Sequence, residues 1–204
     1  MSRTPTGRVR DPERKEHILT AAADLVARNG FNAVSMEDIG GAVGITASAI
    51  YRHYDSKTAV LVAMFDRVID RLLGDAQRIA SGRGDDPKVT LTYLIDGQID
   101  FVAGDRDVAI VYFREIANLP EADRRRLRRK QRLYLEEWVH LVTEARPGLP
   151  DAGARALVHC AIGAIQSALQ YTPDLGADVL RALLRDAALA VLNDSPSRSL
   201  VLED

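Results

Sequence analysis

From Gly44 to Lys57 the chain runs Gly-Ile-Thr-Ala-Ser-Ala-Ile-Tyr-Arg-His-Tyr-Asp-Ser-Lys, which leaves room only for a turn, a two-turn helix and the start of another helix. Upstream, Ser35 is an N-cap with Glu37 and Asp38 in the first turn, where carboxylates favour the helix dipole. Met36, Ile39 and Val43 recur at helical spacing and predict a short helix over about 36–43. Gly44 can take the left-handed conformation that ends it, Ile45 plugs the corner, and Thr46 can cap the next helix. Two short helices joined by three or four residues make a helix-turn-helix. The second, over about 46–53, stops at the fresh break and cap of Asp55-Ser56-Lys57. It is too short to hold alone, so Ile50 and Tyr54 must pack on its neighbours.

The segment from about Lys15 to Leu61 resembles the DNA-binding region of the TetR (tetracycline-repressor-like) family of transcriptional regulators. The resemblance is carried by Ile18, Leu19, Ala22, Ala23 and Leu25 of a first helix, then Gly30-Phe31, Val34-Ser35, Ile39, Val43-Gly44-Ile45, Tyr51-Arg52-His53-Tyr54 and Ser56-Lys57. The chain departs from the family pattern at Gly40-Gly41, Ala49 and Thr58. Each glycine costs roughly 0.5–1 kcal/mol against alanine inside a helix, which predicts a soft second helix unless close packing demands it.

Residues pointing out of 46–53 are the candidates for reading double-stranded DNA: Thr46, Ala47, Ser48, Ala49, Tyr51, Arg52 and His53. Arg52 suits guanine, the small Ala47 and Ala49 suit thymine methyl groups, and Tyr51 and His53 suit phosphates. Lys57 and the free amides at the Ser56 helix start suit a further phosphate.

Net charge is −2, but residues 1–57 carry +1 and the remainder −3. Residues 1–15 hold five basic against two acidic side chains, with Pro5 and Gly7. That tail either lies along phosphates or a minor groove, or only aids solubility. A single cysteine, Cys160, excludes an internal disulfide and suits a reducing compartment. No apolar run reaches the length of a membrane span and no signal-peptide core follows the basic N-terminus, so the expectation is a cytoplasmic protein without membrane contact.

Beyond residue 57 the periodicity is helical throughout, giving an all-α fold of about nine helices. A first helix begins at Asp11-Pro12 and ends near Asn29-Gly30. A long helix runs from Ser56 to about Ala80, where Ser81-Gly82-Arg83-Gly84 interrupts it. Others follow over about 87–103, 106–117, 120–146, 151–171 and 175–193, the last two separated by Thr172-Pro173. The expected organisation is a basic flexible tail over 1–10, a DNA-binding domain over 11–57, an effector-binding and dimerisation domain over 58–195 and a flexible tail over 196–204.

The last two helices are apolar on most faces and rich in alanine and glycine, so they need cover on more than one side. A second copy supplies it, and a homodimer whose paired helices 151–171 and 175–193 form a four-helix bundle is expected, as the family resemblance also implies. Two reading helices held about 34–36 Å apart, or at a larger spacing in phase with the duplex, then read a palindrome.

The middle helices combine aromatic and polar residues able to line a small-molecule pocket: Tyr93, Phe101, Tyr112, Phe113, Trp138 and Tyr171 with Gln98, His140, His159, Gln166 and Gln170. A basic run, Arg124 to Arg132, opens a helix whose apolar stripe is Leu127, Tyr134, Trp138, Leu141 and Ala145. Arg125, Arg128, Arg129 and Arg132 lie opposite that stripe. They form either a solvated face or an anion site, for the phosphates of an acyl-CoA-like effector or for DNA. His17, His53, His140 and His159 lack HExxH spacing, Cys160 has no second cysteine, and no GxSxG elbow occurs. No enzyme, cofactor or metal is expected. The expected function is a repressor released from its operator by a small apolar or amphipathic molecule; the alternative is a helical ligand-binding protein without DNA affinity.

Overall fold

The computed structural model describes residues 12–81, 86–171 and 174–193. The expected cap at Asp11, the tails, the glycine-rich break and Thr172-Pro173 lie outside these or at their edges. Nine α-helices and no strand occur among the described residues. They are α1 (Pro12–Asn29), α2 (Met36–Ala42), α3 (Ala47–Tyr51), α4 (Lys57–Ser81), α5 (Pro87–Ile99), α6 (Arg106–Glu115), α7 (Glu121–Ala145), α8 (Asp151–Gln166) and α9 (Ala177–Asn193). None is long and apolar enough to cross a membrane.

The boundaries follow local chemistry. Ser35 Oγ accepts from Asp38 N at 3.1 Å while Ser35 N donates to Asp38 Oδ2 at 2.8 Å, a reciprocal capping box that starts α2. Gly44 at φ 68° ends it, with Ile45 N donating to Gly40 O at 2.9 Å and Gly44 N to Gly41 O at 3.3 Å, a Schellman closure. Ser56 Oγ caps α4 through Ala59 N at 3.0 Å, and Asp86 caps α5 ahead of Pro87. The sequence expectation carried α5 on to 103. Instead the chain widens at Asp100–Gly104 into a π-type turn, in which Asp105 N donates to Asp100 O at 3.2 Å.

Two apolar cores result. The first joins Ile18, Ala22 and Val26 of α1, Ile39 of α2 and Ile50 of α3 to Val60, Met64 and Phe65 of α4, and is roofed by Tyr112 of α6 and Leu127 of α7. The second lies among α5, α7, α8, α9 and the latter half of α4, with Trp138 fully buried. A boundary at residue 57 therefore does not divide the cores, because α4 belongs to both.

Ion pairs tie α4 to α7. Asp66 accepts from Arg126 and, at 2.8 Å, from Lys130 Nζ, which also reaches Asp70. Burial opposes ionisation of Asp66, but these hydrogen bonds outweigh it and hold the carboxyl below its ordinary range. Such a group adds stability above its unfolded pKa of about 3.9, lost as pH falls through the lower folded value. Asp66→Asn is expected to lower Tm by roughly 2–4 °C at pH 7, since partly exposed pairs contribute up to about 1 kcal/mol. Thermal melts should show that gap closing as pH falls below the ordinary carboxylate range and through the lowered folded pKa, where the wild-type carboxyl is protonated too.

Candidate nucleic-acid interface and effector cleft

The reading surface is assembled from α2, α3 and the turn between them. Ile50 and Tyr54 are buried, as the short helix requires, and burial pushes the Tyr54 hydroxyl upward in pKa. With that side anchored, Thr46, Ser48, Tyr51, Arg52 and His53 are exposed, while Ala47 and Ala49 are half-buried. Thr46 Oγ1 accepts from Ala49 N at 3.3 Å and shares a hydrogen bond with Ser48 Oγ at 2.9 Å, which fixes the start of α3. Arg52 has no carboxylate partner among the described residues, so its guanidinium is available.

Lys57 is engaged differently from the expectation. Its Nζ donates to Phe31 O and Val34 O, each at 2.6 Å, and stands 4.5 Å from the Phe31 ring centroid. The ammonium thus pins the α1–α2 connection to the start of α4. The family-like Gly30-Phe31 and Ser56-Lys57 pairs sit together for this reason, a link that sequence separation conceals.

Gly40 and Gly41 are not equivalent. A Cβ on Gly40 would lie 2.7 Å from Ile45 O and 3.2 Å from Ala47 N, whereas one on Gly41 would meet nothing within 4 Å. Close approach of α2 to α3 therefore requires Gly40, and Gly41 remains the soft position.

The second site is a cleft bounded by α4, α5, α6, α7 and α8, partly open to solvent, with a cavity volume of about 40 Å³. Five predicted residues meet there: Gln98, Phe101, Tyr112, Phe113 and Gln166. Val68, Ile69 and Leu72 of α4 form one wall. Burial pushes the Tyr112 hydroxyl up to about 12, and its ring packs edge-on against Phe65 at 5.0 Å between centroids. Tyr134 lines the cleft and donates to Gln98 Oε1 at 3.0 Å.

The other candidates fall elsewhere. Trp138 is enclosed in the second core behind Tyr134, with ring centroids 6.1 Å apart. Tyr93, His140, His159, Gln170 and Tyr171 are exposed and line no part of the cleft. Gln131, Tyr134 and the α4 residues were missed; the apolar stripe of α7 contained Tyr134, but stripe membership did not distinguish core from cleft wall.

The basic run divides. Arg124 pairs with Glu121, Arg126 and Lys130 with α4, and Arg125 lies 3.5 Å from Glu121. Arg128, Arg129 and Arg132 remain exposed.

Ala156, Cys160 and Gly163 of α8 and Ser167 just after it are exposed, as are Val179, Ala182, Leu183 and Ala187 of α9. Val179 and Leu183 are each 52% exposed, a concentration of apolar side chains unusual on a free helix pair.

Comparison with known proteins gives this geometry a context. Residues 18–64 match the family described as bacterial regulatory proteins, tetR family, and residues 84–168 match the tetracyclin repressor-like C-terminal domain. The chain is 28% identical over 111 residues to the HTH-type transcriptional repressor KstR2 of Rhodococcus jostii, a match spanning 54% of each protein, about half of that relative's length. A TetR-family transcriptional regulator from Bordetella parapertussis superposes with a TM-score of 0.78 at 25% identity, over 90% of this chain and 96% of that one. AibR, solved in complex with isovaleryl coenzyme A and operator DNA, shares the fold with a TM-score of 0.72 at 20% identity, over 87% of this chain and 96% of that one. With a reading module and a C-terminal helical domain both matched in order along one chain, this protein belongs to the tetR family of bacterial regulatory proteins.

Proposed function

We propose that the chain is a repressor that occupies a palindromic operator as a dimer and is released when a small apolar or amphipathic molecule enters the cleft. The observation that carries this reading is the position of α4. Its first half packs under the reading module through Val60, Met64 and Phe65, and its second half forms the cleft wall through Val68, Ile69 and Leu72. An occupant that displaces the wall moves the reading module with it. Such a ligand must bind the non-operator state more tightly, and by linkage the operator weakens ligand binding by the same factor.

In the dimer, the exposed faces of α8 and α9 pair about a two-fold axis, and Thr46, Ala47, Ser48, Tyr51, Arg52 and His53 face the duplex. The KstR2 relative is a repressor, which supports repression over activation. The complex formed by AibR makes coenzyme A thioesters one class of effector to test. A soft α2 would favour the alternative of a ligand-binding protein without DNA affinity, and the close packing at Gly40 speaks against it.

A gel shift on the DNA upstream of the chain's own gene tests the reading. Expected is saturable, salt-sensitive binding that prefers that sequence over random DNA. Arg52→Ala should weaken specific binding by about 1–3 kcal/mol and relax the preference at one base pair of each half-site. Binding that is absent, or indifferent to sequence, would refute it.

A further inference from the structure

Helix α6 stands between the reading module and the exposed pair α8 and α9, and it is tied at both ends. Around its start, Asp100 pairs with Arg181 of α9 and Asp105 pairs with Arg71 of α4. Arg106 Nη1 donates at 2.6 Å to Ala168 O, in the short turn Ser167–Leu169 that follows α8. Asp96, one turn earlier on α5, adds a second pair to α9 through Arg185 at 2.6 Å. Toward its end, Arg114 Nη1 donates to Ala27 O of α1 at 3.3 Å, and Val111 and Tyr112 are buried in the first core. Ala109, between the two ends, belongs to the second core. The helix is thus a strut from α8 and α9 to the reading module.

These ion pairs are poorly placed to hold the fold together, because their side chains are partly exposed and such pairs add little stability. Their geometry suits another task. The π-type turn Asp100–Gly104 is a joint between α5 and α6, closed by Asp105 N, which is shared between Asp100 O and Phe101 O at 3.2 Å each. Long, divided bonds of this kind fix the direction of α6 loosely. Asp105 also occupies the N-cap position of α6, yet its carboxylate makes no cap and reaches Arg71 instead. The side chains around the joint therefore set the angle that its backbone leaves free.

We propose that Asp100, Asp105 and Arg106 are positioning residues for operator recognition. They hold α6 at one angle to α8 and α9, and so fix the separation of the two reading modules in a dimer built on those helices. One base pair is about 3.4 Å of rise and about 35° of turn, so a reading module that swings by a few ångströms loses its half-site. Phe101 belongs to the same turn and lines the cleft, so an occupant of the cleft leans on this joint as well as on α4. The inference rests on the dimer of the proposed function.

The test uses the full chain with Cys160, its single cysteine, replaced by serine, and a spin label at Glu37→Cys, an exposed position in the first turn of α2 outside the reading residues. Electron–electron dipolar coupling then gives the distance between the two reading modules of a dimer. Expected is one narrow distance in this parent and a broad distribution when Asp100→Asn and Asp105→Asn are combined, with Tm lowered by no more than about 5 °C. Arg106→Met, which cuts the tie to Ala168, should broaden it too. Glu136→Gln is the control: it removes a pair with Arg155 that joins α7 to α8 and does not touch α6, and the distance should stay narrow. On the DNA upstream of its own gene, the unlabelled chain should lose at least about tenfold in affinity when two base pairs, about 70° of turn, separate the half-sites further. The double variant should lose about threefold or less. A distance that stays narrow in the double variant, an equal broadening by Glu136→Gln, or an unchanged spacing penalty overturns the inference and leaves the dimeric repressor standing. Absence of dipolar coupling in the parent overturns the dimer, and the inference with it.

Discussion

Gly40→Ala is expected to cost about 2–3 kcal/mol and to lower Tm by roughly 5–10 °C, whereas Gly41→Ala one residue later should stabilise by about 0.5–1 kcal/mol. The difference comes from what each new methyl group meets. On Gly40 it would press on the carbonyl of Ile45 at 2.7 Å and the amide of Ala47 at 3.2 Å, and backbone atoms cannot rotate away as a flexible side chain can. Relief requires α2 and α3 to separate, which also breaks the bond from Ile45 N to Gly40 O. The damage therefore reaches function: α3, anchored through Ile50, shifts against Ile39 of α2, and operator affinity should fall by more than the loss of fold alone explains. Paired melts and gel shifts of the two variants check this. Equal effects of the two substitutions would mean that the approach of α2 to α3 does not constrain Gly40.

Leu183→Asp is expected to yield a monomer with an intact helical spectrum and operator affinity reduced at least about a hundredfold. Leu183 is half exposed in the single chain, so its replacement removes little from the core. Across a two-fold interface the same change appears twice and places two carboxylates in a desolvated apolar surface, an expense of several kcal/mol. A monomer then contacts one half-site with one short helix and loses the gain from simultaneous engagement. Sedimentation equilibrium gives the mass and a gel shift gives the affinity. A dimer that persists would move the interface away from α8 and α9.

Much of the fold was legible because its boundaries are written in local chemistry. Ser35 with Asp38, Gly44, Thr46, Ser56 and Asp86-Pro87 act within four residues of themselves, so their caps and stops can be read without knowing the rest of the chain. The π-type turn at Asp100–Gly104 was not legible: an extra residue in a helical turn leaves the apolar pattern almost unchanged. The cleft was half legible. Phe101, Tyr112, Phe113 and Gln166 have the composition of a pocket wall, but so do Tyr93 and Trp138, and only packing separates a lining residue from an exposed or enclosed one. The role of Gln98 depends on Tyr134, thirty-six residues away, and that of Lys57 on carbonyls more than twenty residues upstream. Such partnerships join distant points of the chain and have no local signature.

The passage of α4 through both cores has a consequence for exchange between relatives. A chimaera that grafts this reader onto another sensor cannot be joined cleanly at Lys57, because Tyr112 and Leu127 from the sensor side complete the reader's core. A junction inside α4 must preserve the facing residues of both partners, including the contact of Phe65 with Tyr112. Under the proposed function, recognition of one operator and response to one effector are therefore inherited as a matched set. New pairings require the seam along α4 to be rebuilt rather than merely spliced.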